Sequence, residues 1–245
     1  MWGRIVIVAV GVGLVPLALA LAQERPVSVI NKGVGGSSTR DLLRTFQAAV
    51  ESLHPEHVVV YAGMNDAGNT HKLVPIEEYE ANLNTLIEKI RAVGATPYLV
   101  TIHSIVEAEH ASRHKKELLP PDGMNKKLAR YNEVILKVAA AQRVPVIRFD
   151  QVFEANGGAR KLTRNKENMK ISDGVHLTPE GYRLLAQAAY DVLRTRVKPG
   201  ETVVCFGDSL TFGSGMQGEG TATGQTYPAR LAALLNKTEH DSNGR

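Results

Sequence analysis

The sequence predicts an α/β fold with a mainly parallel five-stranded sheet. Three observations lead there: short β-branched or aromatic runs alternate with longer amphipathic stretches, the runs are bounded by Gly, Pro or polar residues, and no repeat or low-complexity tract interrupts the alternation. The expected strands, in order, are Val27 to Ile30, Val58 to Tyr61, Tyr98 to Ile102, Val144 to Phe149 and Thr202 to Phe206. Between them, Arg40 to Leu53, Ile76 to Val93, Asn125 to Gln142 and Pro179 to Val197 carry apolar residues at helical spacing, and Tyr227 to Leu235 forms a shorter helix after the last strand. Thr178 followed by Pro179 marks a helix start, because a threonine oxygen can cap the first turn and proline tolerates its first position. The stretch from Ser104 to Gly123 departs from the rhythm, is charged and carries Pro120-Pro121, so it reads as a surface insertion or lid.

With 245 residues, 43% hydrophobic and 22% charged, the chain suits one substantial core. The formal charge of +4 is spread along the chain with no basic stripe and interleaved aromatics, which argues against a nucleic-acid partner. The single cysteine, Cys205, excludes an internal disulfide framework and is expected as a small core residue of the last strand. Arg4 precedes an apolar run from Ile5 to Ala22 that ends in Ala18-x-Ala20 and Ala20-x-Ala22, the layout of a cleavable export signal, with an uncleaved anchor as the alternative. The expected organisation is a signal peptide at 1–22, one domain at 24–237 and a flexible polar tail at 238–245, in a secreted or periplasmic protein with no stable membrane partner after cleavage.

Four blocks carry the chemistry. Val203-Val204-Cys205-Phe206-Gly207-Asp208-Ser209-Leu210 is an apolar strand that stops at a Gly-Asp-Ser turn, which puts a serine at the carboxyl edge of the sheet. A serine hydroxyl needs a base to take its proton and a third group to orient that base. Asp173-Gly174-Val175-His176 supplies such a pair, at a spacing that lets the carboxylate reach Nδ1 while Nε2 faces outward. Asn31-Lys32-Gly33-Val34-Gly35-Gly36-Ser37-Ser38 and Gly63-Met64-Asn65-Asp66 each follow a strand and can offer N–H donors to an oxyanion. Each block, taken singly, also has the composition of an ordinary polar turn. Asp208 and Asp66 are expected to hold their loops. His110 and His114, four apart, are expected on a solvated helix face in preference to a metal site.

Together the four blocks resemble those of the SGNH hydrolase superfamily, the GDSL-like esterases and lipases. The resemblance implies Ser209 as nucleophile, His176 as general base and then acid, and Asp173 as its orienting partner. It also implies an oxyanion hole from the Ser209 and Gly36 N–H groups and the Asn65 side chain, a flavodoxin-like three-layer α/β/α sandwich, and no metal or other cofactor. One departure is large: in the family the serine block opens the domain, and here it comes last. Rotating the chain so that Thr202 to Leu235 precedes Pro26 to Val197 restores the usual order, so the domain is expected to be circularly permuted, with Lys198-Pro199-Gly200-Glu201 joining the former ends. A monomer is expected, with a dimer swapping the last strand and helix as the alternative. The expected function is a serine esterase acting on a small-molecule or polysaccharide ester, with a carbohydrate O-acetylesterase as the first reading. Short-chain esters or lysophospholipids form the second, and an inactive glycan-binding module of the same fold the third.

Overall fold

The computed structural model describes residues 25–237, so the stretch 1–22 read as an export signal and the tail 238–245 lie outside the described residues. Five strands form one sheet: β1 (Ser28–Gly33), β2 (His57–Tyr61), β3 (Thr96–Val100), β4 (Val146–Ile147) and β5 (Thr202–Gly207). Their spatial order is β1-β5-β2-β3-β4 and every pairing is parallel. The last strand in the chain therefore lies between the first two, with Gly207 level with Gly33 on one side and Tyr61 on the other.

Two helical layers cover the sheet. On one side α1 (Thr39–Ala49), α3 (Ile76–Ala92) and α5 (Met124–Gln142) pack side by side; on the other α6 (Phe149–Ala155), α8 (Pro179–Leu193) and α10 (Tyr227–Leu235) do. Strands covered on both faces read as continuous apolar runs, and β2, Val58 to Val60 followed by Tyr61, is buried along its whole length. Short helices α2 (Met64–Gly68), α4 (Glu107–Ala111), α7 (Gly158–Leu162) and α9 (Ser209–Phe212) sit in the loops.

The expected strands and the five long helices are present, with shifted ends. The fourth strand keeps only two residues, because Pro145 has no N–H for the ladder and Phe149 already starts α6. The first helix stops at Ala49 and continues as a separate single turn, Glu51–Leu53. The additional helices have seven residues or fewer, too short for a periodic apolar pattern to register. The 104–123 insertion is exposed at Arg113 and along Lys115 to Leu118, yet Ile105 and His110 are buried. His110 thus corrects the expectation of a solvated pair: α4 turns it inward, where it stacks on His114 at 4.2 Å between ring centroids.

Candidate active site

Gly207 ends β5 where the chain must pass between two other strands. A Cβ there would collide with the Tyr61 carbonyl oxygen and the Thr211 hydroxyl, so glycine is required by space. Asp208 follows in extended conformation and caps α9, its Oδ1 accepting from the Leu210 N–H at 2.8 Å. That cap turns the chain sharply and leaves half-buried Ser209 at the first position of the helix. Asp208 itself is 1% exposed, and burial pushes its carboxyl up to about 7 against the opposing bonds from Leu210 and Asn65.

His176 lies on a short antiparallel ribbon. Thr163 pairs with Leu177, and the Arg164 N–H donates to the His176 carbonyl at 2.7 Å. The N–H groups of Asp173 and Gly174 return to the Arg164 carbonyl at 3.1 and 2.8 Å, and Thr178 caps α8 through the Gly181 N–H at 3.2 Å. Gly174 has φ +71°, and a Cβ there would lie 2.7 Å from the Val106 carbonyl oxygen. So supported, His176 Nδ1 donates to Asp173 Oδ2 at 2.8 Å, while Nε2 stands 2.9 Å from Ser209 Oγ. The carboxylate can only accept, which puts the ring proton on Nδ1 and leaves Nε2 to accept from the serine hydroxyl. Burial alone would raise the Asp173 carboxyl; the bonds from the His176 ring and from the His176 and Val175 N–H groups outweigh it and hold the group well below the usual carboxylate range.

The two donor loops converge on the same point. Gly36, at φ +72°, and Asn65, in the first turn of α2, both border the cleft that Ser209 and His176 enter. The Asn65 amide donates to the Ser37 carbonyl and to Asp208 Oδ2, both at 3.1 Å, so an oxyanion bound there would share one of these two N–H groups. Asp66 binds the N–H and hydroxyl of Thr39, fastening the start of α1 to α2, which is the loop-holding part expected of it.

The cleft has a volume of about 220 Å³, and His110, Arg113 and His114 of the insertion are among the residues that line it. The sequence matches the GDSL-like lipase/acylhydrolase family over residues 11–184. The chain belongs to that family. It is therefore a carboxylic ester hydrolase. Among curated relatives, the uncharacterized lipoprotein YqeF of Bacillus subtilis is 27% identical over 71% of this chain and 76% of its own length. The isoamyl acetate-hydrolyzing esterase of Saccharomyces cerevisiae is 22% identical over 73% and 75%. Among solved structures, a lipase/acylhydrolase from Enterococcus faecalis superposes with TM-score 0.55 at 23% identity, over 68% of this chain and 75% of its own. An acetylxylan esterase from Geobacillus stearothermophilus superposes with TM-score 0.53 at 22% identity, over 66% and 70%. At these identities the two structures speak for a GDSL-like fold alone.

Two buried residues of this GDSL-like site had no sequence signal. His103, fully buried, donates from Nε2 to the Val175 carbonyl at 2.9 Å and accepts from the Tyr61 hydroxyl at 2.6 Å, supporting the His176 loop from beneath. Arg164, 6% exposed, places a guanidinium nitrogen 3.0 Å from Asp173 Oδ2. Both follow an ordinary strand or turn in the sequence, and a lone basic residue there reads as surface. Cys205 is fully buried in β5, and burial pushes its thiol up to about 12, which leaves it inert. Among the described residues no helix is long and apolar enough to cross a membrane, and no group of three or more His, Cys, Asp or Glu side chains is placed to hold a metal.

Proposed function

We propose that the chain hydrolyses carboxylic esters through Ser209, His176 and Asp173, most aptly the O-acetyl esters of carbohydrates. One observation carries the reading: a continuous run of hydrogen bonds from the Ser209 hydroxyl through the imidazole to a half-buried carboxylate, open to a cleft at the serine end. His176 Nε2 takes the Ser209 proton as Oγ bonds to the carbonyl carbon, and the carbonyl π-electrons move to the oxygen. The N–H groups of Ser209 and Gly36 and the Asn65 amide receive that charge. Collapse expels the alcohol, which leaves with the proton from Nε2. Water then gives a proton to His176 and attacks the acyl-enzyme; the acid departs and Ser209 regains its proton.

Support for a small acyl group comes from the size of the cleft, below the range of about 300–1,000 Å³ usual for drug-sized ligands. The names of two similar proteins, an acetylxylan esterase and an isoamyl acetate-hydrolyzing esterase, favour acetyl in particular. The test is hydrolysis of p-nitrophenyl acetate by the purified protein beside its Ser209→Ala variant. Equal rates would end the proposal, and would favour the glycan-binding alternative if the protein were retained on acetylated polysaccharide. Acetate release from acetylated xylan, pectin and peptidoglycan, compared with fatty acid release from lysophospholipid, then ranks the substrates.

The same reading includes a circular permutation. Numbered from β5, the sheet order becomes 2-1-3-4-5, the flavodoxin-like order in which a ligand sits at the strand ends where the order reverses. A rearranged gene encoding Thr202 to Leu235 ahead of Pro26 to Val197 is expected to give a folded, active esterase; an insoluble product would count against it. Residues 1–22 are proposed as an export signal on sequence grounds, to be checked by N-terminal sequencing of the protein recovered outside the cytoplasm.

A further inference from the structure

Arg164 is an expensive residue to bury. Its side chain is 7% exposed, it has one ion pair, and its Nε has no partner among the described residues. A buried pair of this kind adds little net stability, because taking both charges out of water costs about as much as their attraction returns. Stability alone therefore does not explain the residue, and its neighbours suggest another part for it.

The Arg164 guanidinium and the His176 ring converge on the same carboxylate oxygen, Asp173 Oδ2, at 3.0 and 2.8 Å. The other oxygen, Oδ1, accepts from the Val175 and His176 N–H groups, both at 2.8 Å. Four donors fill the roughly four lone-pair directions of a carboxylate, so Asp173 has no freedom to rotate. The Nη1 end of the guanidinium also abuts Gly215, in the loop that leaves α9; a Cβ there would collide with Nη1. One side chain thus touches both the acid–base loop and the loop behind the serine. It does not border the cleft.

We propose that Arg164 is a positioning residue for the Asp173–His176 pair: it fixes the carboxylate's orientation and draws off part of its charge, so that the imidazolium formed during the reaction gives up its proton readily. This rests on the Ser209–His176–Asp173 reading. The charged and titratable groups around His176 are Asp173 on its own loop, Arg164 across the ribbon, Arg113 just beyond α4, whose guanidinium donates to the Asp173 carbonyl at 3.0 Å, His110 of α4 and His114 lining the same cleft, His103 below and Asp208 beside the serine. Among the described residues, Arg164 alone joins the imidazole on Asp173 Oδ2. Without it the full carboxylate charge faces His176, the imidazolium is favoured, and the neutral base is recovered only at higher pH.

The test compares the wild type, Arg164→Met, Arg164→Lys and Ser209→Ala on p-nitrophenyl acetate across pH, with folding checked by circular dichroism. Arg164→Met, which replaces the charge with an apolar chain of similar reach, is expected to lose about 10- to 100-fold in kcat from misplacement of the pair. Its KM should stay near the wild-type value. The acid limb of its kcat/KM profile should move up by roughly one pH unit, as expected on removing a nearby charge. Arg164→Lys should return the limb toward the wild-type position. If the Met variant does not fold, Arg164→Gln supplies the same comparison. A folded neutral variant whose acid limb stays at the wild-type position overturns the proposal even if kcat falls, because a merely structural arginine would not move the limb. Full activity in Ser209→Ala would instead overturn the underlying reading, a separate result.

Discussion

Ser209 Oγ and His176 Nε2 stand 2.9 Å apart although the serine follows the histidine by 33 positions on a different strand connection. The distance is produced by the sheet: β5 enters between β1 and β2, and the ribbon from Arg164 to Thr178 brings the imidazole over its carboxyl end.

That relationship makes Asp173 the residue whose neutral replacement should be most informative. Asp173→Asn preserves the shape but offers the His176 ring an amide, which can present an N–H to Nδ1 and favour the wrong tautomer. A loss of about 10⁴-fold in kcat is expected, by analogy with the same change in a serine protease triad. Steady-state kinetics on p-nitrophenyl acetate measure it, and a loss under tenfold would remove Asp173 from the mechanism.

Asn65→Ala should lower kcat by about 10²- to 10³-fold with little change in KM, the usual cost of deleting one oxyanion donor. Because the amide also ties Ser37 to Asp208, a stability loss of about 1 kcal/mol accompanies it, visible in urea unfolding. An unchanged kcat would mean that backbone donors alone carry the oxyanion.

Gly207→Ala tests the close approach beneath the serine turn. The added methyl meets the Tyr61 carbonyl at the end of β2 and the Thr211 side chain of α9, both buried. A loss of about 3 kcal/mol is expected from this overpacking, with a lowered Tm and poor solubility. A variant as stable as the wild type would show that β5 can shift away from β2.

His103 should give the fold a pH dependence of its own. Burial lowers its pKa from 6.5 to about 4, partly offset by the bond to the Val175 carbonyl. The unfolded chain therefore takes up this proton below pH 6.5 while the folded chain does not until about 4. Stability from this group is complete above pH 6.5 and falls as pH drops toward 4, by roughly 3 kcal/mol in all. Asp208, whose carboxyl is raised to about 7, works in the opposite direction, so the group is best isolated by difference. His103→Gln should be the less stable protein at pH 7.5, with the gap closing between pH 6.5 and 4.5 in urea titrations. A gap that is constant with pH would contradict the assignment.

Much of the site was legible in the sequence because its parts are local. The Gly-Asp-Ser turn, the Asp-x-x-His spacing, the glycine loop and Asn65 each follow a strand or precede a helix, and a few neighbouring residues are enough to express them. The long helices and buried strands were legible for the same reason, since their periodicity runs over many positions. The short helices and the two-residue β4 were not, because a single turn or a proline-limited edge has no period to read. His110 was misread because its inward direction depends on how α4 packs against Gly68 and His114.

The sequence by itself therefore determined the fold class, the serine, histidine and aspartate that meet, and the loops that border them. Tertiary structure alone decided that Arg164 and His103 belong beside them. Neither residue carries a pattern of its own; each becomes significant only when burial removes water and leaves Asp173 or the Val175 carbonyl as its partner. A basic side chain in a polar stretch costs nothing when it faces solvent. Enclosed, it must be paired, and that pairing is a property of the fold.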